Sequence, residues 1–152
     1  MRRTRRSLPT LLAAVLLLST GTPEPTSAQS ITDAIVDVLE WLEEGYDLVP
    51  EQGQWGLVFG WFSQGEQKEL HFTATAEQSY MIVGGGDLSS ADLDICVYDP
   101  YGREIDCDVM RDNYPMVEFT AEVSGTYRAV LLAYELTGYT SYAGMAVLRE
   151  RW

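Results

Sequence analysis

Residues Asp92 to Gly102 read Asp-Leu-Asp-Ile-Cys-Val-Tyr-Asp-Pro-Tyr-Gly, and no other stretch constrains the fold as strongly. Leu93, Ile95 and Val97 alternate with Asp92, Asp94, Cys96 and Tyr98, the period of two expected of a half-buried strand. Asp99-Pro100-Tyr101-Gly102 supplies turn chemistry, because Pro fixes φ and Gly accepts φ > 0. A second extended run follows from Arg103. The chain therefore carries one strong hairpin at its centre.

Weaker strand signals flank it. Trp55, Leu57, Phe59 and Trp61 alternate with Gly56, Val58, Gly60 and Phe62. The bulky row is expected to pack in the core, since aromatics dominate core burial. Leu70, Phe72, Ala74 and Ala76 alternate with Glu69, His71, Thr73 and Thr75, leaving His71 on a wet face. Tyr80–Val83 is a short apolar run, and Gly84-Gly85-Gly86-Asp87 reads as a connecting loop. It lacks the spacing and following helix of a phosphate-binding loop. Val117, Phe119 and Ala121 form another one-sided strand. Thr126–Tyr134 is largely apolar on both faces, which suits a strand lying centrally in its sheet. Tyr142–Leu148 closes the domain. Short strands with frequent turn signals predict an all-β, antiparallel β-sandwich.

The N-terminal part differs. Arg2, Arg3, Arg5 and Arg6 precede an apolar run, Leu11–Leu18, and Thr26-Ser27-Ala28 offers small residues for cleavage. This is the layout of a secretory signal peptide over residues 1–28, with an apolar run too short to span a bilayer. The chain is therefore expected to be secreted or periplasmic, with no membrane span after cleavage. Ser30 to Tyr46 reads as one amphipathic helix, with Ile31, Ala34, Ile35, Val38, Leu39 and Leu42 on a single stripe. Residues 29–50 are thus helix and linker, and residues 51–152 the sandwich.

The whole chain holds 10 basic and 23 acidic residues. Removing residues 1–28 takes away four Arg and Glu24, leaving 6 against 22 and a net charge of −16. Such a field excludes nucleic acid as a partner and attracts cations.

The order of the pieces resembles a known family. Gly65, Phe72-x-Ala74 and Tyr80-x-Ile82 are followed by Asp92-Leu93-Asp94-Ile95-x-Val97-Tyr98-Asp99-x-x-Gly102. Pro115-x-Val117-x-Phe119 and Ser124-Gly125-Thr126-Tyr127 come after. This is similar to the bacterial pre-peptidase C-terminal domain, over about residues 55 to 148. The resemblance implies a jelly-roll-like sandwich that is not itself catalytic and usually trails a secreted hydrolase. It also implies roles in binding a substrate, matrix or partner, and calcium binding in some members. No hydrolase accompanies the pattern in this sequence.

Asp92 and Asp94 share a strand face about 7 Å apart, two strand rises. They are the candidate ligands for Ca²⁺, which wants six to eight oxygens; solvated or turn-bonded aspartates are the alternative. Cys96 and Cys107 pose a question of register. A four-residue loop would oppose them, as export favours for a disulfide, but would turn Asp106 and Asp108 inward. A three-residue loop keeps Asp106 and Asp108 outside and separates the thiols, and a bulge could reconcile the two. With one His and two Cys there is no His/Cys zinc cluster, and no G-x-S-x-G elbow supports a hydrolase. The expected function is a non-catalytic module that binds a protein or polysaccharide, with Tyr98, Tyr101, Tyr114 and Tyr139 as candidate contacts. The alternatives are an envelope protein assembled through its helix and a small secreted hydrolase.

Overall fold

The computed structural model describes residues 45–51 and 54–151, with backbone alone at 50–51 and 54–55. The expected signal peptide and residues 30–44 of the expected helix lie outside this range. Tyr46 opens a strand instead of closing that helix.

The strands are β1 (Tyr46–Leu48), β2 (Pro50–Glu51), β3 (Gln54–Trp55), β4 (Leu57–Ser63), β5 (Gln67–Ala74) and β6 (Ser79–Gly86). They continue as β7 (Ser90–Tyr98), β8 (Glu104–Asp108), β9 (Met116–Thr120), β10 (Gly125–Leu136) and β11 (Thr140–Glu150). In the first sheet β1 and β4 both pair with β11, followed by β6 and β9; the second sheet has the order β5-β10-β7-β8. All pairings are antiparallel. The two-sided apolar run of β10 sits between β5 and β7, where both of its edges are bonded.

Period-two alternation turns Leu70, Phe72, Leu93, Ile95, Val97, Ala129 and Leu131 of the second sheet inward. They meet Phe62, Ile82, Val117, Met145 and Val147 of the first in one cluster. Four rings tighten one end of this core. Phe72, Tyr80, Phe119 and Tyr127 lie with centroids 5.6–6.4 Å apart. The two phenols among them stay hydrogen-bonded, as buried phenols must. Thr75 N–H donates to Tyr80 Oη at 2.8 Å, and Tyr127 Oη donates to the Val123 carbonyl at 2.9 Å.

Two sequence expectations are corrected here. Gly84–Gly86 is not a connector but the end of β6, paired with Ala143–Met145 of β11. At Gly84 a Cβ would stand 2.9 Å from Ile95 Cδ1 and 3.0 Å from Pro115 Cγ, so the missing side chain lets the sheets close. The aromatic row of β4 also faces the other way. Phe62 is fully buried, with Val58 packed against the core, whereas Trp61 is 61% exposed. Alternation shows which residues share a face, and the neighbouring strand decides which face turns inward.

Cys96 and Cys107 are joined by a disulfide. The register runs Ile95↔Asp108, Cys96↔Cys107 and Val97↔Asp106, then slips to Tyr98↔Glu104. The hairpin turn therefore spans residues 99–103, with Gly102 at φ 79°, and the irregularity beside Val97 absorbs Ile105. Asp106 and Asp108 do point to the Val97 side. They tolerate it because β8 is an edge strand, where an inward charge still reaches water and discourages further strand pairing.

Candidate binding surface

β8 ends one sheet and β9 ends the other, so residues 109–115 must cross from edge to edge. The crossing is pinned by its own acids. Asp108 Oδ1 accepts from Met110 N–H at 3.0 Å and its Oδ2 from Met116 N–H at 2.8 Å. Asp112 Oδ1 accepts from Tyr114 N–H at 2.9 Å. Backbone bonds from Leu93 N–H to Asp112 O and from Gly84 N–H to Pro115 O, both 2.8 Å, fasten the loop to each sheet. With its backbone held down, the loop projects its apolar side chains outward. Val109 is 67%, Met110 70%, Tyr114 49% and Met116 45% exposed.

Charge surrounds this ridge unevenly. Asp92 and Asp94 of β7, Asp108, Asp112 and Glu135 of β10 supply carboxylates, and Arg111 is the basic side chain among them. Arg111 is paired to Glu135 at 2.8 Å. Asp92 is buried to 6% exposure, and its Oδ1 has no hydrogen-bond partner among the described residues. Burial raises its carboxyl above the usual range, with Arg111 opposing and Glu135 and Asp112 reinforcing. Asp94 is raised as well, by burial first and then by Asp92 and Asp108.

Asp92 and Asp94 thus lie together as a repelling pair, as their spacing predicts. Among the described residues no third carboxylate, histidine or thiolate closes with them into a ligand group within 4.8 Å. The grouping that does meet that distance is Cys96, Glu104 and Cys107, whose sulfurs are already bonded to each other.

The four candidate tyrosines are not brought together. Tyr98 lies under the Arg128 guanidinium, 4.3 Å from its ring centroid, on the outer face of the second sheet. Tyr101 is 74% exposed on the β7–β8 turn, and Tyr139 is 99% exposed on the β10–β11 turn at the other end of the sandwich. Tyr114 alone belongs to the ridge. Val109, Met110 and Met116 escaped the sequence reading. Their signal was the apolar residues on each side of Arg111-Asp112-Asn113.

Other polar groups are committed to structure. Buried Asp87 accepts from Ser89 N–H at 2.9 Å, Ser141 Oγ at 2.9 Å and Tyr142 N–H at 3.1 Å, and Ser141 is in turn bonded to Ser90. Asp99 accepts from Tyr101 N–H, Arg103 N–H and the Arg103 guanidinium. Burial would raise its carboxyl, but these bonds outweigh it and hold the group below the usual range. His71 stands on the open face of β5, 3.5 Å from Glu69.

No family model matches this chain, and no curated protein sequence does. Among solved structures, a periplasmic inhibitor of g-type lysozyme from Aeromonas hydrophila is similar over 62% of this chain and 84% of that one. The identity is 15% and the TM-score 0.47, a distance at which the similarity carries no argument about function. Among the described residues no helix is long and apolar enough to cross a membrane.

Proposed function

We propose that the protein is an exported, non-catalytic β-sandwich module that binds a basic protein partner through the ridge at residues 109–116. The observation that carries this reading is the juxtaposition of exposed Val109, Met110, Tyr114 and Met116 with the carboxylates of Asp94, Asp108, Asp112 and Glu135 and with Arg111. An apolar centre within a charged rim is the usual anatomy of a protein-binding patch. The charge supplies steering and partner choice, and the apolar centre supplies the desolvated contact. The signal-peptide layout and the resemblance to the pre-peptidase C-terminal domain support the same reading.

The test is a photo-crosslinking residue placed at Met110 in the producing cell, with the same residue at His71 as control. Crosslinks to a protein of high pI from position 110 alone, lost in high salt, are the expected result. Equal crosslinking from both positions refutes the ridge. Retardation by a cell-surface polysaccharide, abolished by Tyr114→Ala, would give the surface a different occupant.

A further inference from the structure

Regular alternation would set Glu104 and Cys107 on opposite faces of β8, since an odd number of residues separates their positions. The slip in register undoes this. Tyr98 opposes Glu104 and Cys96 opposes Cys107, so the extra residue, Ile105, brings Glu104 round to the face that carries both sulfurs. A carboxylate oxygen of Glu104 and the two Sγ atoms lie within 4.8 Å of one another. The disulfide itself has no use for a carboxylate there. The place is also reachable. β8 is the last strand of its sheet, Cys96 and Cys107 are half-buried, and Glu104 is exposed. Glu104 makes no side-chain hydrogen bond or ion pair among the described residues. The arginines at neighbouring positions are engaged elsewhere. Arg128, opposite Tyr98, pairs with Glu69 at 2.7 Å, and Arg103 pairs with Asp99 at 2.6 Å.

We propose that Cys96, Cys107 and Glu104 form a redox-gated site for one thiophilic divalent cation of the class of Zn²⁺. Reduction opens it. A dithiol gives two electrons and two protons to the Sγ–Sγ bond, which leaves two thiols on the hairpin and a disulfide in the donor. The metal then displaces both thiol protons and takes two thiolates and the carboxylate, with water in the fourth position. The backbone has little to do. Two sulfurs about 2.3 Å from a tetrahedral Zn²⁺ stand about 3.8 Å apart, and a carboxylate oxygen stands about 3.6 Å from each. Cys96 and Cys107, with Cα atoms 4.1 Å apart, reach that separation by rotation about χ1, and the exposed Glu104 chain follows by a change of rotamer. Selectivity comes from the donors. An acidic chain draws cations of every kind, but thiolates favour Zn²⁺ over Ca²⁺ and Mg²⁺, which take oxygen ligands. The hairpin is thus clasped in either redox state, by the disulfide when oxidised and by the metal when reduced.

The test uses the purified protein, reduced with a phosphine that is then removed without air, and Co²⁺ as a coloured stand-in for Zn²⁺. The reduced protein should take one Co²⁺ per chain with a thiolate-to-cobalt charge-transfer band. Zn²⁺ should abolish the band, millimolar Ca²⁺ should not, and the oxidised protein should show none. Glu104→Gln keeps both thiols and should bind at least about tenfold more weakly, because losing even an outer partner of a metal site costs about 10- to 100-fold. Glu118→Gln, which removes a charge from β9, should bind as the wild type does. Should the reduced protein lose its near-UV signal, reduction in the presence of Zn²⁺ should preserve it. Absence of the band, two chains per Co²⁺, wild-type affinity in Glu104→Gln, or loss of the fold on reduction even with Zn²⁺ present would each overturn the proposal.

Discussion

Replacing Asp92 by Asn should stabilise the protein at neutral pH. The carboxylate is buried with an unpartnered Oδ1, and the nearest cation, Arg111, is engaged with Glu135. An unsatisfied buried polar group costs about 1–3 kcal/mol, and more when charged. Asp94, about 7 Å along the strand, adds a repulsion of about 2 kcal/mol at an effective dielectric of about 20. Water around the half-buried Asp94 reduces that figure. Asn keeps the shape, loses the charge, and still leaves an amide to satisfy, so the net gain is about 1–3 kcal/mol. The pH dependence has a definite sign. Both carboxyls are raised in the folded state, so the stability they contribute is present below the unfolded value and is lost as pH rises through the folded one. The wild type should therefore become more stable between neutral pH and about pH 4, and Asp92→Asn should flatten that slope. Urea unfolding at several pH values, in chelator, measures both. An Asn variant less stable than wild type at neutral pH would refute the reasoning. Repeating the series in millimolar Ca²⁺ tests the calcium expectation, since a wild-type gain absent from the variant would make the pair a cation site.

Removing the disulfide with Cys96→Ala and Cys107→Ala opens a loop with a sequence separation of 11. The chain-entropy relation sets the loss at about 3 kcal/mol, measurable as a lower urea midpoint with nearly unchanged near-UV signal. Asp87→Ala strips three donors of their acceptor in a buried network. It should cost about 3 kcal/mol or more in the same assay. Asp99 behaves oppositely to Asp92: its carboxyl is lowered, so its contribution is present above the unfolded value and lost as pH falls below about 4. Asp99→Asn should therefore remove part of the acid limb of the stability profile and leave the limb between pH 5 and 7 unchanged.

The strands were legible because a sandwich writes its inner faces as period-two alternation. Leu93, Ile95 and Val97, and Leu70, Phe72 and Ala74, are buried as their spacing predicts. Two features escaped for physical reasons. Glycines usually break strands, but in β6 they create room for Ile95 and Pro115 from across the sandwich, a demand set by tertiary contact alone. The row Leu57, Phe59 and Trp61 looked like core because it is bulky. Its orientation was fixed instead by Phe62, which the glycine beside it disguised as part of the weaker face. The hairpin's cysteines show the same limit. The disulfide register sets Asp106 and Asp108 on the Val97 side against the alternation, and alternation by itself shows neither the bulge at Ile105 nor the edge position of β8 that tolerates those charges.

The candidate surface was half legible, for a reason that bears on how it works. Asp92 and Asp94 stand out in sequence because acids on a strand face are spaced by the strand itself. Val109, Met110, Tyr114 and Met116 carry no period, because a connection between sheets has none. They become a surface only when Asp108 and Asp112 take up the loop's amides and Pro115 anchors against Gly84. The same aspartates thus give the ridge its shape and its negative rim. Asp108→Ala should weaken partner binding through both effects. Asp94→Asn, whose carboxylate makes no such loop bond, should alter only the salt dependence. Affinities measured at two ionic strengths separate the two, and a salt slope unchanged from wild type in both variants would mean that the rim does not steer the partner.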